Sequence, residues 1–289
     1  MDFLLDPVYL SRVTGRDVRA ATVTEEARAG STLAWIEPSY VGLPGPRRLL
    51  LKVGGRPGDL DLYAAFGDRL PGPPMLDHGM LDGLPYRLGE VVEAPTLRDH
   101  PSRDALVRAA IALAEVHRLP TDRLADPDPT QWLWDQARKA WPAYRAAYDP
   151  PQATRFERLL ASPTPRPGPA VVCHGDAHPG NVLLCRDRTR WIDWEDWRRG
   201  PGAEDLAFLL ADLDTDVRTA WAADAFEAYV PAIGRPRAQV RAELAAALDQ
   251  VPKMVPFWHA GDPTHESVTH GLARQWDAWL GGLEALGIA

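Results

Sequence analysis

The stretch 171-VVCHGDAHPGNVLLCRDRTRWIDWEDWRRGPGAEDLA-207 decides how this chain is read. Val171 and Val172 open a short apolar run, and a polar loop follows from His174 to Asn181. A second apolar run (Val182 to Leu184), a charged turn and a third run (Trp191, Ile192) come next. The pattern predicts strand, loop, strand, turn, strand, with the polar chemistry at the strand ends. Asp176, Asn181 and Asp193 each stand at the edge of an apolar run. Two converging oxygen ligands suit magnesium, a hard cation that keeps room for substrate phosphates, and the third carboxylate is then available as a base.

Any one of these residues beside Gly or Pro is most simply a turn former. The combination is more specific. His-Gly-Asp, an Asn five residues after that Asp, and an Asp flanked by apolar residues twelve further on form a compound signal in a suitable strand context. The segments 174-HGDAHPGN-181 and 191-WIDWE-195 resemble the catalytic loop and metal-binding strand of the aminoglycoside phosphotransferase family. That family is similar in turn to choline kinases and, more distantly, to protein kinases. The resemblance implies Asp176 as catalytic base, and Asn181 and Asp193 as magnesium ligands. Zinc is a rival use of this stretch, through Cys173, His174, His178 and Cys185. Against it, there is no C-x-x-C pair, and the adjacent Cys173 and His174 point to opposite faces of a strand.

Length and composition leave room for one large or two modest globular domains: 289 residues, 45% hydrophobic and 25% charged. No apolar run reaches membrane-spanning length, so a membrane partner is not expected. The start, 1-MDFLLDPVYL-10, carries acids where a signal peptide carries bases. Cys173 and Cys185 read as reduced thiols of a cytoplasmic protein. The net charge of −8 argues against nucleic acid. Most of that charge, −6, lies after residue 120, which suits either a cationic small substrate or a merely solvated acidic surface.

Read in order, residues 7–23 predict a short helix leading into a strand, and 22-TVTEEARAGSTLAWIEP-38 a hairpin broken by small residues. The resemblance makes this hairpin the phosphate-covering loop, with Ser31 as a contact. In 49-LLLKVGG-55, Lys52 sits inside an apolar run in a chain with only three lysines against 29 arginines. A lysine is costly there unless it is used or faces solvent at a sheet edge. By resemblance it contacts the nucleotide α- and β-phosphates. The family pairs this lysine with a helix Glu. Here 56-RPGDLDLYAAFGDRLPGPPML-76 offers Asp59 and Asp61 but no Glu, with Asp59 the expected partner. The strand in 84-LPYRLGEVVEA-94 leads to a hinge whose backbone, around Glu90, Val91 and Val92, is implied to meet the nucleotide base.

Beyond the hinge, helices are expected over 102–119, from 128 through Trp141, and over 203–213, 216–230, 237–257 and 265–286. Ser102 is the expected N-cap of the first, and Pro252 and Pro256 interrupt the fifth. His117 reads as a packing histidine, and Asp205 matches the family's brace for the catalytic loop. Trp194, Trp197, Trp258, Trp276 and Trp279 are candidates to line an acceptor cleft. Glu195, Asp196, Asp262, Glu266 and Asp277 are candidates to pair with acceptor amines.

The expectation is therefore an α+β, two-lobed, protein-kinase-like fold. A small antiparallel-sheet lobe over residues 1–90 binds nucleotide, and a mainly helical lobe over 91–289 carries catalysis and the acceptor. The implied activity is phosphoryl transfer from ATP or GTP, with Mg2+, to a hydroxyl of an aminoglycoside-like antibiotic, an amino alcohol or a sugar. A nucleotide-binding regulatory protein on the same fold is the alternative. Retention of Lys52, Asp176, Asn181 and Asp193 together counts against it.

Overall fold

In a computed structural model of the chain, the structure describes residues 5–28, 31–42, 45–54, 58–122, 124, 130–148, 152–186, 188–253, 255–256 and 266–288. The fold is α+β and two-lobed. One compact unit runs to Ala94 and takes in Arg190–Glu195, and the other holds most of the remainder.

The first unit is built on a five-stranded antiparallel sheet in the order β1-β2-β3-β5-β4. Helix α1 (Pro7–Thr14) starts where Asp6 accepts the Val8 N–H at 2.7 Å and ends at Gly15 in the left-handed region. Then come β1 (Val18–Arg28), β2 (Ser31–Tyr40) and β3 (Leu49–Gly54), followed by helix α2 (Gly58–Phe66). Strands β4 (Met75–Leu81) and β5 (Leu84–Glu90) close the sheet as a hairpin. Its two turn residues, Asp82 (φ +51°) and Gly83 (φ +80°), are the Asp-Gly pair that a tight primed turn requires. In β3 the period-two alternation sends Leu49 and Leu51 into a core with Leu10, Ile36 and Leu88, all five fully buried. Lys52 therefore points to the other face.

The second unit is mainly helical. Helix α3 (Arg103–Val116) is capped by Ser102, which accepts from the Ala105 N–H at 3.3 Å. Helices α4 (Thr130–Tyr148) and α5 (Ala153–Ala161) follow. Short strands β6 (Ala170–Cys173), β7 (Val182–Leu184), β8 (Thr189–Trp191) and β9 (Arg198–Pro201) surround the diagnostic stretch, and β8 carries the chain into the first unit. Helices α6 (Ala203–Ala211), α7 (Thr215–Ile233), α8 (Arg237–Leu248) and α9 (Glu266–Ala285) complete it. Helix α3, with Ala105, Ala109, Ala110 and Ala114 all buried, packs against α7.

The C-terminal helices pack on an aromatic core of Trp134, Trp141, Tyr144, Phe156, Trp276 and Trp279. Burial of the indoles is matched by partners for their N–H groups. Trp276 donates to Tyr144 Oη at 2.8 Å and Trp279 to Asp249 Oδ1 at 2.8 Å. These two tryptophans, candidates for a cleft, are thus core residues. The helix expected to end at Trp141 runs on to Tyr148 with Pro142 inside it. The one expected over 237–257 stops at Leu248, ahead of a 3₁₀ turn at Val251–Lys253 that holds Pro252. Among the described residues no helix is long and apolar enough to cross a membrane. Both cysteines are free.

Candidate active site

The loop between β6 and β7 is shaped by one glycine. Gly175 has φ +87°, and a Cβ there would run into the carbonyl oxygen of Asp196. On the neighbouring strand, Arg198 stands opposite Cys173 in the β6–β9 ladder and donates from Nη1 to the Gly175 carbonyl at 2.8 Å. Arg198 is held in turn by Glu204 at 3.2 Å, which also binds Arg166. Burial alone would raise the Glu204 carboxyl, but the charges of Lys253, Arg198 and Arg166 hold it below the usual range.

Asp205, 1% exposed at the start of α6, clamps the other side of the loop. Its Oδ2 accepts the His174 N–H at 2.5 Å and its Oδ1 the Gly175 N–H at 3.0 Å. His117 Nε2 lies 3.1 Å from Oδ2, and His117 Nδ1 lies 2.8 Å from Tyr229 Oη. Burial pushes the Asp205 carboxyl up, yet its hydrogen bond with His117 and the cations around it bring it net below its ordinary value. A Cβ on Gly202 would lie 2.6 Å from the His117 ring, so only glycine lets α6 approach α3 here. The ligand atoms of His117, Cys173 and Asp205 lie within 4.8 Å of one another. They make a poor metal cage. Burial raises the Cys173 thiol, which donates to the Gly200 carbonyl at 3.2 Å, and the Asp205 oxygens already take three hydrogen bonds.

On this braced loop stand Asp176 and Asn181. Asn181 Nδ2 donates to the Asp176 backbone oxygen at 2.9 Å and to Asp176 Oδ2 at 3.1 Å. A cation ligand from Asn181 would have to be its Oδ1, since its nitrogen is turned to Asp176. His178 adds a further contact. Its Nδ1 accepts the Gly180 N–H at 3.0 Å, which puts the imidazole proton on Nε2, 3.5 Å from Asp176 Oδ2. Burial, followed by the charge of Arg98 beside it, pushes the His178 pKa down to about 3, so the ring is neutral. Arg98 is paired with Asp212, which also binds Arg274 at 3.5 Å.

A second cluster lies within the first unit. Lys52 Nζ donates to Glu195 Oε2 and lies 3.7 Å from Asp193 Oδ1. Asp193 holds the left-handed conformation (φ +62°), rare for a residue other than glycine, and its carboxylate is about half exposed (49%). Its carboxylate oxygens are hard donors of the type magnesium prefers. Glu195, expected among the acceptor's contacts, is engaged with Lys52 instead, because the chain returns to the sheet at Arg190–Glu195. Trp194, expected in a substrate cleft, is 1% exposed and donates from its indole to the Trp191 carbonyl at 3.0 Å. Trp197 is also buried. Asp196 is half-buried on a 3₁₀ turn.

At the hinge, Glu90 donates its N–H to Pro74 at 3.0 Å and Val91 to Arg48 at 3.0 Å, so both amides are committed within the first unit. Burial raises the Glu90 carboxyl, with Arg190 opposing. Val92 follows in extended chain. Ser31 opens β2 opposite Arg28 and Gly54, while its side chain lies outside the described residues. The side chains of Asp59 and Glu266, and Trp258 and Asp262 altogether, also lie outside them. Asp61, the other acid considered for Lys52, is exposed on α2. Sequence reasoning missed Arg198, Glu204 and Arg98 as braces. Nothing in their spacing marks them, because their partners are brought in by folding from up to 114 residues away.

The family model described as a phosphotransferase enzyme family matches residues 58–242, more than half of the chain. No curated protein sequence matches. Among solved structures, a choline kinase from Cryptosporidium parvum is similar with a TM-score of 0.62 at 11% identity, over 92% of this chain and 90% of that one. A thermostable mutant of an aminoglycoside phosphotransferase, in ternary complex with ADP and hygromycin B, gives 0.61 at 16% identity over 96% and 98%. A macrolide 2'-phosphotransferase from Brachybacterium faecium gives 0.56 at 18% identity over 95% and 98%. At these identities the structures speak for the shared fold. The match to the family model says more, and with it the chain belongs to the phosphotransferase enzyme family.

Proposed function

We propose that this phosphotransferase moves the γ-phosphoryl group of ATP or GTP to a hydroxyl of a small molecule: an aminoglycoside-like antibiotic, an amino alcohol or a sugar. The observation that carries the reading is the braced loop. Asp176 is held by Asn181 and faces the neutral His178, while Asp205 and Arg198 fix the backbone beneath it. In this reading Asp176 accepts or orients the proton of the attacking hydroxyl. Asn181 and Asp193 hold magnesium, which when bound neutralises charge on the transferred phosphate. Lys52 faces the α- and β-phosphates, Ser31 contributes to the loop over them, and Val92 offers backbone to the base beyond the committed amides of Glu90 and Val91. Phosphoryl transfer asks mainly for positioning and charge stabilisation, so this short set is chemically sufficient. Solved relatives bound to ADP with hygromycin B, and to ADP with spectinomycin, support a nucleotide and a small acceptor. Asp196 and Glu266 are proposed to meet an acceptor amine.

The test is magnesium-dependent release of ADP or GDP against a panel of aminoglycosides, choline, sugars and nucleosides, with D176N as control. Acceptor-stimulated release that is lost in D176N supports the proposal and identifies the acceptor class. Tight nucleotide binding with no stimulation by any acceptor favours a regulatory nucleotide-binding protein instead.

A further inference from the structure

We infer that Glu195 is the positioning residue that sets Lys52 for the nucleotide phosphates; the inference rests on the phosphotransferase reading above. The register of the sheet creates the need for it. Lys52 and Arg87 stand directly opposite each other in the β3–β5 ladder, so two cations leave the same face at the closest cross-strand spacing. Their side chains are only 17% and 9% exposed. Like charges directly opposite destabilise a ladder, and loss of water sharpens the repulsion. Glu195 relieves it, because its Oε2 accepts from Lys52 Nζ and lies 3.9 Å from Arg87 Nη2.

The same carboxylate governs how Lys52 meets Asp193. Glu195 and Asp193 are two residues apart, and both reach one ammonium. Glu195 takes the hydrogen bond, which leaves Asp193 at 3.7 Å from Nζ with its carboxylate half exposed. Lys52 is thus kept beside the metal strand without quenching it. When Glu195 loses its charge, the ammonium closes on Asp193, and a cation binding there must first displace it. The consequence is specific: Glu195 sets how much magnesium helps a nucleotide to bind.

Calorimetric titration of the full chain with ATP, in magnesium and in EDTA, tests this on wild type, E195Q, K52M and the double variant. Neither readout needs an acceptor. The ratio of ATP affinity with magnesium to that without is expected to fall about tenfold in E195Q. In the K52M background E195Q is expected to leave the ratio unchanged, since the effect passes through the ammonium. E195D, which keeps the charge, recovers part of the ratio and carries the comparison if E195Q does not fold. An unchanged ratio in E195Q, or an equal fall with and without Lys52, overturns the inference. An unchanged ratio together with a raised KM for the acceptor gives Glu195 to the acceptor instead. Wild type that binds ATP in neither condition overturns the phosphotransferase reading itself, a result distinguishable from the others.

Discussion

Replacing Asp205 by asparagine keeps the shape of the side chain and changes only its hydrogen-bonding sense. The carboxylate accepts from three sides: Oδ2 faces both the His174 N–H and His117 Nε2, and Oδ1 faces the Gly175 N–H. An asparagine has one oxygen. If the oxygen is turned to Gly175, its NH2 points at the His174 N–H; if it is flipped, the NH2 points at the Gly175 N–H. Either way one buried loop amide faces another donor. The loss of a charge-assisted bond is about 1.5–3 kcal/mol and an orphaned buried donor about 1–3 kcal/mol more. D205N should therefore destabilise the protein by about 3–5 kcal/mol, in line with breaking other buried charge pairs. Urea unfolding at pH 7 reads the total, and amide hydrogen exchange at His174 and Gly175 locates it. A loss below about 1 kcal/mol, or unchanged protection at both amides, would refute the claim that Asp205 holds the loop.

The other expected outcomes are narrower. D193A should abolish magnesium-dependent nucleotide turnover while shifting the melting temperature little, since its carboxylate is half exposed; full turnover in D193A sinks the metal assignment. G202A should cost about 1–3 kcal/mol, because the new methyl overpacks the His117 ring 2.6 Å away; urea unfolding checks it. His178 has its folded pKa depressed to about 3. The unfolded chain therefore takes up that proton near the ordinary value of about 6.5 while the folded chain does not. Stability should fall as pH drops from about 6.5 towards 3, by roughly 1 kcal/mol per pH unit, and be flat above for this group. H178Q should remove that slope, and parallel urea titrations from pH 4 to 8 compare the two proteins.

Much of this fold was legible because local signals and tertiary packing agree. The alternation in 49-LLLKVGG-55, the serine cap before α3 and the apolar run of α6 each became the element they predict. Where packing overrides a local signal, reading the chain failed. The helix expected only through Trp141 continues past Pro142, because Trp141 and Tyr144 on one face enter the aromatic core and carry it through. Strand β4 was missed because 75-MLDHGML-81 has polar and glycine positions where a buried strand would be apolar, although the Asp-Gly turn after it was there to be read. In the site, the loop motif declared itself through residues close in sequence. The partner of Lys52 did not: it lies 143 residues away, and only the fold brings it in.

That return of the chain has a consequence for how the molecule is made. The sheet of the first unit is complete in sequence by Glu90, yet the anion seated between Lys52 and Arg87 arrives only with Arg190–Glu195. During synthesis about a hundred residues separate the two, on the order of 5–20 s at ordinary elongation rates. Throughout that interval the nascent sheet carries Lys52 and Arg87 face to face without the Glu195 carboxylate. A fragment ending at Ala94 lacks that carboxylate permanently, and a peptide spanning 190–195 is what would have to be supplied in trans to restore it.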